Sequence, residues 1–518
     1  MAEISLAVDG SAPLNDVTVH LHHADNVVIA KTNLQAGTRL MAGNDSIVVQ
    51  QTIPSGHKLA TRKIAAREAV RRYGQVIGVA TQKIQPGDHV HSHNLSVAEF
   101  AREYAFGKDA RPVMVVPEDD RLTFLGYKRE GGRVGTRNVI AIISTVNCSA
   151  HVCREIARHF TPDRLAAYPN VDGVIALTHA YGCPTRIGGP DYDLLQRVLA
   201  GMARHANVGA YVLIGLGCES NQISELVRNH DLHVNGNALV IQELGGTRKT
   251  IDAGIEAIEK LLPQVNAIER TPQPISELMI ALQCGGSDGW SGVTANPLVG
   301  LVADEIVRQG GSVVLAETPE IYGAEHLLTR RAINREVGKK LIDKVHWWEE
   351  HTRQLGSEID NNPSPGNKAG GLTTIYEKAL GAIAKSGSTP LTGVYDYAEP
   401  IATRGFAFMD SPGYDPASVT GQVASGCSLV LFTTGRGSVF GFKPAPSIKI
   451  ATNSTTFNRM IDDMDFNAGR ILDGENMDAL ATELIDMVIA VASGQASKSE
   501  ALGIGEAEFN PWHLGETL

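Results

Sequence analysis

Short apolar runs that end in glycine, cysteine or polar residues and lead into helical patterns recur along this chain of 518 residues. Apolar runs of about four to eight residues bounded by turn residues are typical of buried strands. Their alternation with helical patterns predicts βαβ units, and therefore an α/β fold with largely parallel sheets. The runs are residues 139–146, 174–177, 211–214, 278–282 and 429–432.

Ligands in open parallel sheets bind at the carboxyl ends of the strands, so the loops after these runs are candidate sites. Residues 284–297 form the most informative loop, because small and polar residues there connect a predicted strand to a helix. Asn296 is predicted to cap that helix and Pro297 to begin it, so that backbone N–H groups face the loop. We therefore expect an anion site beside the thiol of Cys284 and the carboxylate of Asp288, as in an enzyme.

The chain is too long for one hydrophobic core and is predicted to form several domains. The predicted units are a small β-rich unit (1–96), a linker (97–122), a central α/β unit (123–270) and a C-terminal α/β unit (275–518). Local patterns further predict an amphipathic helix at 65–73, a hinge at 271–274 and a polar lid at 356–371.

The net charge and the amino-acid composition limit the kinds of molecule that this chain is expected to bind. A formal net charge of −11 without a basic face argues against nucleic acid, whereas local Arg and Lys side chains can still bind a small anion. Six cysteines in so long a chain do not indicate a disulfide framework, and no apolar run approaches the ~18 residues of a membrane span. We therefore expect a cytoplasmic protein with reduced thiols and no membrane partner.

Histidines that alternate along a predicted strand are the clearest metal-like pattern. His89, His91 and His93 would project from one face of that strand, and His22 and His57 belong to the same β-rich unit. Imidazole together with carboxylate suits a divalent transition metal such as Fe, Mn or Zn. The alternative is a solvated strand face whose imidazoles bond to carbonyl groups, and both interpretations stay open.

Three cysteines follow strands of the predicted central sheet. Cys148, Cys183 and Cys218 would then be neighbours, and three thiolates can hold iron or an iron–sulfur cluster. Cysteine is also a favoured buried residue, and C-x-x-C spacing does not occur here, so a structural or substrate-adjacent role is the alternative.

Acid–base and anion-binding candidates lie mainly in loops, where side chains are presented rather than packed. They are His179, Glu219, Asp288, Glu317, Glu320 and Lys368 for proton transfer, and Arg133, Arg137, Arg436 and Lys449 as carboxylate clamps. For each one alone, a helix cap, a turn or a surface charge is the alternative. The dinucleotide, P-loop and nucleophile-elbow motifs do not occur, which argues against NAD-dependent, ATP-dependent and serine-hydrolase functions.

Together, these motifs resemble the altronate/galactarate dehydratase family over nearly the whole chain. The matching stretches are residues 22–26, 56–58, 89–94, 126–129, 135–138, 181–183, 215–219, 284–297, 362–371 and 434–437. The resemblance implies an N-terminal SAF-type β-clip domain, two α/β portions and a divalent metal, with Fe(II) expected and Mn or Mg as alternatives. It also implies elimination of water from a sugar acid to give a 2-keto-3-deoxy sugar acid.

Within the family, residues 89–94, 287–291 and 319–325 are similar to the altronate dehydratase branch, which implies conversion of D-altronate to 2-keto-3-deoxy-D-gluconate. Arg186 lies in a segment that departs from that branch, and its extra positive charge keeps galactarate or another aldarate as the alternative substrate. A sugar-acid-binding sensor is the alternative outside enzymes. The expected partner is a small sugar acid, and a homo-oligomer is compatible with the sequence.

The predicted site follows from these implications. A metal and Arg436 would bind the carboxylate, Lys368 or His179 would take the C2 proton, and a protonated His57 or His91 would help the C3 hydroxyl to leave. The further predicted residues are Asp288 and Glu219 for catalysis, Arg137, Ser287, Asn296, Asn367 and Arg186 for substrate binding, and His22, His91, His93, Cys148, Cys183 and Cys218 for the metal.

Overall fold

The computed structural model describes residues 10–97, 104–233, 237–359 and 361–515. It confirms the predicted class, because a β-rich N-terminal unit is followed by two α/β portions with parallel sheets. Within the described ranges, every helix is too short or too polar to span a bilayer.

The N-terminal unit consists of short strands joined by tight turns. Its elements are β1 (Ser11–Pro13), α1 (Leu14–Val17), β2 (Thr18–Val19), β3 (Val27–Ala30), β4 (Arg39–Ala42), β5 (Asp45–Val48), β6 (Lys58–Ala60), β7 (Ala69–Arg72), β8 (Gln75–Ala80), β9 (His89–Val90) and β10 (Leu95–Ser96). Strands β2, β3, β6 and β9 form an antiparallel sheet that carries His57 at the start of β6 and His89 on β9.

The helix predicted at 65–73 is wrong, because β7 and β8 form a hairpin there. Tyr73 and Gly74 both have positive φ, 60° and 70°, as a two-residue hairpin turn requires. Val70 and Arg72 alternate into the interior along β7, and this alternation brings the Arg72 guanidinium to the C-terminal unit.

The central unit is a parallel sheet with helices on both faces. Its elements are β11 (Thr123–Lys128), β12 (Val134–Gly135), β13 (Val139–Ser144), α2 (Ala150–His159), α3 (Pro162–Leu165), β14 (Gly173–Leu177), α4 (Pro190–Ala203), β15 (Val208–Gly215), α5 (Ile223–His230), β16 (Ala238–Val240), α6 (Ile241–Leu244) and α7 (Thr247–Asn266). The described part of the sheet has the order β14-β13-β15-β16 with parallel pairs. Alternate side chains of β13 pack against α2 and α7 on one face and against α4 on the other.

The C-terminal unit contains the larger parallel sheet. Its elements are β17 (Thr271–Pro274), β18 (Met279–Cys284), α8 (Ala295–Arg308), β19 (Ser312–Leu315), α9 (Thr318–Ile321), α10 (Glu325–Arg330), α11 (Arg335–Gln354), α12 (Pro365–Ala369), α13 (Ile375–Ala382), β20 (Leu391–Tyr395), β21 (Gly405–Met409), α14 (Asp415–Ala424), β22 (Leu429–Thr434), β23 (Ser447–Ala451), α15 (Ser454–Arg459), β24 (Phe466–Asn467), α16 (Met477–Ala492) and α17 (Lys498–Ala501). The described strands have the order β20-β21-β19-β18-β22-β23-β24. In this order, β19, β21 and β20 lie on one flank of β18, and β22, β23 and β24 lie on the other. The strand order therefore reverses between β18 and β22, which makes this position the topological switch point.

The three units are packed tightly onto one another. The hinge predicted at 271–274 is wrong, because Thr271–Pro274 is a strand that pairs antiparallel with β11. Helices α4 and α14 share one hydrophobic core, which joins the two α/β units. Residues 104–122 of the predicted linker lie against the C-terminal unit, where Asp109 N donates to Arg330 O at 2.8 Å, and residues 98–103 lie outside the described part of the chain.

Candidate active site

Two glycine-containing loops meet at the switch point. One follows β18 and the other follows β22, and the backbone N–H groups of Gly435 and Arg436 donate to Gly286 O at 3.1 and 2.8 Å. A Cβ atom on Gly435 would lie 2.1 Å from Asp288 Cγ, so only glycine permits this contact. The loops therefore form one wall of a cleft at the carboxyl ends of the strands.

Asp288 holds the two loops together. Its buried carboxylate accepts hydrogen bonds from Trp290 N, Ser291 Oγ, Thr452 Oγ1 and Asn453 Nδ2 at 3.0–3.2 Å. Burial raises the pKa of Asp288, and these donors oppose the shift. The contacts indicate that Asp288 orients the loop, with its acceptor capacity already used by the protein.

The predicted roles of Asn296 as helix cap and substrate contact are wrong. Helix α8 begins at Ala295, so Asn296 lies inside the first turn and is 1% exposed. Its Nδ2 donates to Gly381 O at 2.9 Å, and its Oδ1 accepts from Thr433 Oγ1 at 2.6 Å. Both ends of the amide are thus engaged in the core.

Residues 362–371 form a second wall of the cleft, which packs directly against the first, since Gly289 N donates to Gly370 O at 2.8 Å. Asn367 makes a capping box with Ser364, and its Nδ2 donates to Ser287 O at 2.8 Å, so its amide positions this segment rather than facing a substrate. The half-buried Lys368 has an ammonium group without a partner among the described residues, and the same holds for the exposed guanidinium of Arg436. The Ser287 hydroxyl is likewise unpartnered within the described chain. The cleft thus presents two available cations.

The β-rich unit contributes a cluster of histidines to this wall. His57 Nδ1 lies 3.0 Å from His89 Nε2, and the rings of His91 and His93 lie 5.2 and 5.6 Å from that of His89. His57 Nε2 and His91 Nε2 lie 3.2 and 2.9 Å from the carbonyl oxygens of Ala369 and Lys368. Because a carbonyl only accepts, these Nε2 atoms carry the protons, which leaves Nδ1 of both rings as an acceptor.

Burial favours the neutral form of three of the clustered imidazoles, those of His57, His89 and His91. Burial lowers the pKa of His57 to about 4 and that of His89 to about 3, and it also lowers the pKa of His91. These shifts disfavour the predicted role of a protonated His57 or His91 as the acid for the leaving hydroxyl. Neutral imidazole is the form that binds metals.

A buried ion triplet fixes the histidine-bearing unit to the α/β unit. Lys58 Nζ lies 2.8 Å from Glu377 Oε1, and Arg72 Nη1 lies 2.5 Å from the same oxygen. Lys58 also donates to Gly371 O at 2.7 Å, and Arg72 Nη2 donates to Gly289 O at 2.6 Å. Although burial alone would raise it, the two cations hold the pKa of Glu377 at about 2, whereas burial lowers the pKa of Lys58 to about 8.

A second buried charged group lies beneath the loop that follows β18. Lys385 Nζ donates to Cys284 Sγ at 2.7 Å, the thiol lies 3.4 Å from Glu320 Oε2, and Lys378 pairs with Glu320. Burial raises the pKa of Cys284 to about 12, whereas Lys378 and Lys385 hold that of Glu320 below its ordinary value. Lys378 Nζ also donates to Asn362 Oδ1 at 3.0 Å, which ties this group to the 362–371 wall.

Two carboxyl groups of this buried group have pKa values above their ordinary range. Burial together with the neighbouring Glu320 raises the pKa of Glu317 well above its ordinary value, and burial raises that of Asp415 to about 6. Glu317 has φ 72°, which a residue other than glycine adopts only under strain. Strained backbone of this kind clusters at functional sites, where surrounding structure enforces it.

Lys378, Lys385 and Asp415 were missed by the sequence reasoning. Lys378 and Lys385 are seven residues apart in an otherwise apolar helical stretch, a spacing that puts them on one face of a helix. Charged side chains at that spacing within an apolar stretch were the available signal. No comparable signal marks Asp415, which is brought to the group by the sheet.

Three predicted residues serve structural roles elsewhere. His179 Nε2 donates to Ser144 O at 2.9 Å while its Nδ1 accepts from Tyr181 N, and burial lowers its pKa to about 4. Glu219 accepts from the backbone N–H groups of Leu216 and Gly217. Arg137 binds Glu500 through two bonds of 2.7 Å and three carbonyl groups besides. The predicted catalytic roles of His179 and Glu219, and the substrate contact of Arg137, are contradicted because these groups are already engaged.

The predicted metal ligands are divided among separate places. Cys148, Cys183 and Cys218 are exposed at the carboxyl edge of the central sheet, where Arg186 also lies, and not beside the histidines. His22 is exposed next to Gly74, apart from the histidine cluster. Among the described residues, no group of three or more His, Cys, Asp or Glu side chains converges as metal ligands. The predicted metal ligands, which are His22, two histidines of the cluster and the three cysteines, therefore do not form one site.

The chain matches known proteins over all three units. Residues 275–517 match the family model for D-galactarate/altronate dehydratase, C-terminal; residues 126–266 match D-galactarate dehydratase/altronate hydrolase, second domain; and residues 16–98 match the altronate/galactarate dehydratase SAF domain. The chain is 36% identical over 486 residues to altronate dehydratase of Bacillus subtilis (strain 168), covering 93% of this chain and 96% of the relative.

Two further relatives carry the names of a second sugar-acid dehydratase and of a sulfo-lyase subunit. Galactarate dehydratase (L-threo-forming) of Escherichia coli (strain K12) is 36% identical over 507 residues, covering 95% of this chain and 96% of the relative. The (2R)-sulfolactate sulfo-lyase subunit beta of Chromohalobacter salexigens is 33% identical over 389 residues, covering 74% of this chain and 95% of the relative.

Proposed function

The chain belongs to the altronate/galactarate dehydratase family, and on this premise we propose that it is a hydro-lyase that eliminates water from a sugar acid. The observation that carries the proposal is the cleft at the switch point, where Arg436 and Lys368 are available cations beside buried carboxyl groups. A sugar acid supplies the carboxylate that such a cleft accepts, and its α-proton is the one to be removed.

The proposed substrate is an aldonate, with D-altronate converted to 2-keto-3-deoxy-D-gluconate. The guanidinium of Arg436, unpartnered among the described residues, can bind the carboxylate of an aldonate in a two-bond geometry. The altronate dehydratase of B. subtilis supports this assignment. Galactarate is the second candidate, because a galactarate dehydratase is equally similar at 36% identity.

The elimination requires two proton movements. The C2–H bond breaks and its proton passes to a base. Lys368 Nζ is the candidate in its deprotonated amine form, because it has no competing partner among the described residues. The C3–O bond then breaks, and the hydroxyl leaves as water after it gains a proton. Glu317 is the candidate donor, because burial and the neighbouring Glu320 raise its pKa and so favour its protonated form. The resulting enol becomes the 2-keto product without further help from the protein.

A divalent metal fits the histidine cluster in donor chemistry. His57 Nδ1 and His89 Nε2 lie 3.0 Å apart, and imidazole nitrogen is a common ligand of divalent transition metals. We propose that these two imidazoles would hold the ion, Fe(II) in the first place, with His91 and His93 beside them. When bound, the ion would stabilise the negative charge that develops on the substrate carboxylate.

A substrate panel tests the proposed function. The purified chain is incubated with Fe(II) and with D-altronate, galactarate and other aldonates and aldarates, and 2-keto acid is measured. We expect turnover of D-altronate, its loss in Arg436→Gln, and its retention in the control Lys260→Met, whose exposed side chain pairs only with Glu256.

Each other outcome of the panel has a definite meaning. Turnover of galactarate without D-altronate would replace the proposed substrate while keeping the reaction. Binding of a sugar acid by the folded protein without turnover of any panel member would refute the enzyme and support the sensor. Sulfite release from sulfolactate would assign the reaction of the sulfo-lyase relative instead.

A further inference from the structure

A cavity of about 560 Å³ opens at the end of the C-terminal sheet opposite to the cleft. Helix α4 and Arg133, just before β12, line one side, and the first residues of β18 and β19 line the other, so the cavity lies between the two α/β units. Because the six residues of β18 are separated by five steps of about 3.3 Å, its two ends are about 17 Å apart. We call this space the arginine cavity; the proposed catalytic residues do not line it.

The lining of the arginine cavity is strongly positive in a protein whose formal net charge is −11. It contains Arg133, Arg197, Arg204 and Arg404, with Glu277 as its one acidic side chain. Glu277 pairs with Arg404 at 3.1 Å, which leaves the other three arginines without a carboxylate in the lining.

Two of these arginines are the most available for a ligand. Arg133 makes no side-chain hydrogen bond or ion pair with any described residue, and Arg204 reaches only Asp231 O at 3.5 Å. Burial and the charge of Arg204 lower the pKa of Arg133, which shows that the two guanidinium groups repel each other. An anion between them would remove this repulsion.

Two unpartnered hydroxyl groups form part of the same lining. Ser312 is 0% exposed and Ser428 is 2% exposed, and neither Oγ atom has a hydrogen-bond partner among the described residues. A buried hydroxyl without a partner is unfavourable, so such groups are satisfied by a ligand or by water. Both hydroxyls can donate to the oxygen of an anion.

The positive region continues into an adjoining cavity of about 610 Å³. The two cavities share Arg133, Arg204 and His205. The second adds Lys128, the acidic Glu130, and Arg129, whose guanidinium is already bonded to protein oxygen atoms. His205 is engaged by Cys427 O and Asn207 N and is neutral, because burial lowers its pKa to about 4. The space therefore suits a ligand larger than one phosphate group.

We propose that the arginine cavity binds a small polyanion that carries two or more phosphate or carboxylate groups. Arg133 and Arg204 would clamp one anionic group in the two-bond geometry that guanidinium favours, and Ser312 and Ser428 would donate to the same ligand. Since the lining comes from both α/β units, the bound ligand would strengthen their contact. This inference does not rest on the identity of the sugar acid.

Calorimetric titration and thermal unfolding at constant ionic strength test the proposal, with pyrophosphate as the phosphate probe and citrate as the carboxylate probe. We expect saturable binding with a Kd below about 1 mM for at least one probe. Loss of charge-assisted bonds predicts that Arg133→Gln/Arg204→Gln raises that Kd at least about tenfold. Ser312→Ala/Ser428→Ala is expected to raise Kd without lowering the melting temperature of the free protein.

The controls separate this site from the catalytic cleft. Arg353→Gln removes an exposed arginine that pairs with Glu350 and should leave the Kd unchanged. The prediction that Arg133 clamps the carboxylate of the sugar acid is wrong, because Arg133 lies at the end of the C-terminal sheet opposite to the cleft. Dehydration of the sugar acid by the arginine double variant should therefore equal that of the wild type without probe. Binding of pyrophosphate alone would assign a phosphorylated ligand, and binding of citrate alone a polycarboxylate. Absence of saturable binding of both probes, or equal Kd values in wild type and double variant, would overturn the proposal.

Discussion

Replacing Glu377 by Gln tests whether the buried ion triplet holds the histidine-bearing unit in place. The carboxylate of Glu377 accepts from Lys58, Arg72 and Thr373, and all three charged side chains of the triplet are at most 1% exposed. Glu377→Gln keeps the shape but leaves two buried cations with only the carbonyl groups of Gly371 and Gly289. Breaking a buried ion pair in this way costs about 3–5 kcal/mol.

The expected effect is large enough to measure by thermal unfolding. With about 2 °C lost per kcal/mol in a large cooperative unit, the melting temperature should fall by at least about 6 °C. Glu350→Gln is the matched control, because its carboxylate pairs with Arg353 on the surface and contributes at most about 1 kcal/mol. Sugar-acid turnover should fall with stability, since Lys58 adjoins His57 in the chain.

The pH dependence provides a second readout. The pKa of Lys58 is about 8 in the folded protein against 10.5 in the unfolded chain, and loss of Glu377 lowers it further. In the variant, Lys58 can therefore lose its proton on folding. The free-energy cost of this deprotonation decreases as the pH approaches 10.5, so the difference in stability between the variant and the wild type should shrink between pH 7 and pH 9. A melting temperature of Glu377→Gln equal to that of Glu350→Gln at pH 7 would refute the reasoning.

Four further predictions concern the cleft and the core. Lys368→Met should abolish 2-keto acid production while its melting temperature equals that of the wild type. Gly435→Ala should cost about 1–3 kcal/mol in urea unfolding and reduce turnover, because its Cβ atom has no space. His57→Gln should lower bound iron in elemental analysis, whereas His22→Gln should not. The pKa of His179 is about 4 in the folded protein and 6.5 in the unfolded chain, so about 3 kcal/mol of stability that is present above pH 6.5 should be lost by pH 4. His179→Gln should reduce this loss when urea unfolding is measured at both pH values.

The parallel sheets were predictable from the sequence because they depend on local alternation of strands and helices. The strand at Thr271–Pro274 was not, since its pairing with β11 depends on residues about 150 positions away in the chain. The segment at 65–73 is compatible with helical spacing, and the turn at Tyr73 and Gly74 decides for a hairpin. Local patterns thus predict element types better than they predict which elements meet.

The candidate site was predictable where a loop follows a strand, as for Asp288 and Arg436. Every such loop has the same local signature, however, so His179 and Glu219 were predicted beside them although they belong to the edge of another sheet. Lys378 and Lys385 were missed because charged side chains normally lie on the surface. Their burial is explained only by the carboxylate and the thiol that the sheet brings to them.

The histidine pattern shows why its two interpretations stayed open at the level of sequence. An imidazole bonded to a carbonyl group and an imidazole that holds a metal are not exclusive, because each ring has two nitrogen atoms and can do both. His57 donates through Nε2 to Ala369 O, and this bond leaves Nδ1 unprotonated and directed at His89. A metal-binding histidine commonly donates its other N–H to a carbonyl, which fixes the tautomer and the ring. The carbonyl contact of His57 is therefore what a ligand to the proposed ion requires, and Ala369, which provides that carbonyl, adjoins the candidate base Lys368 in the chain.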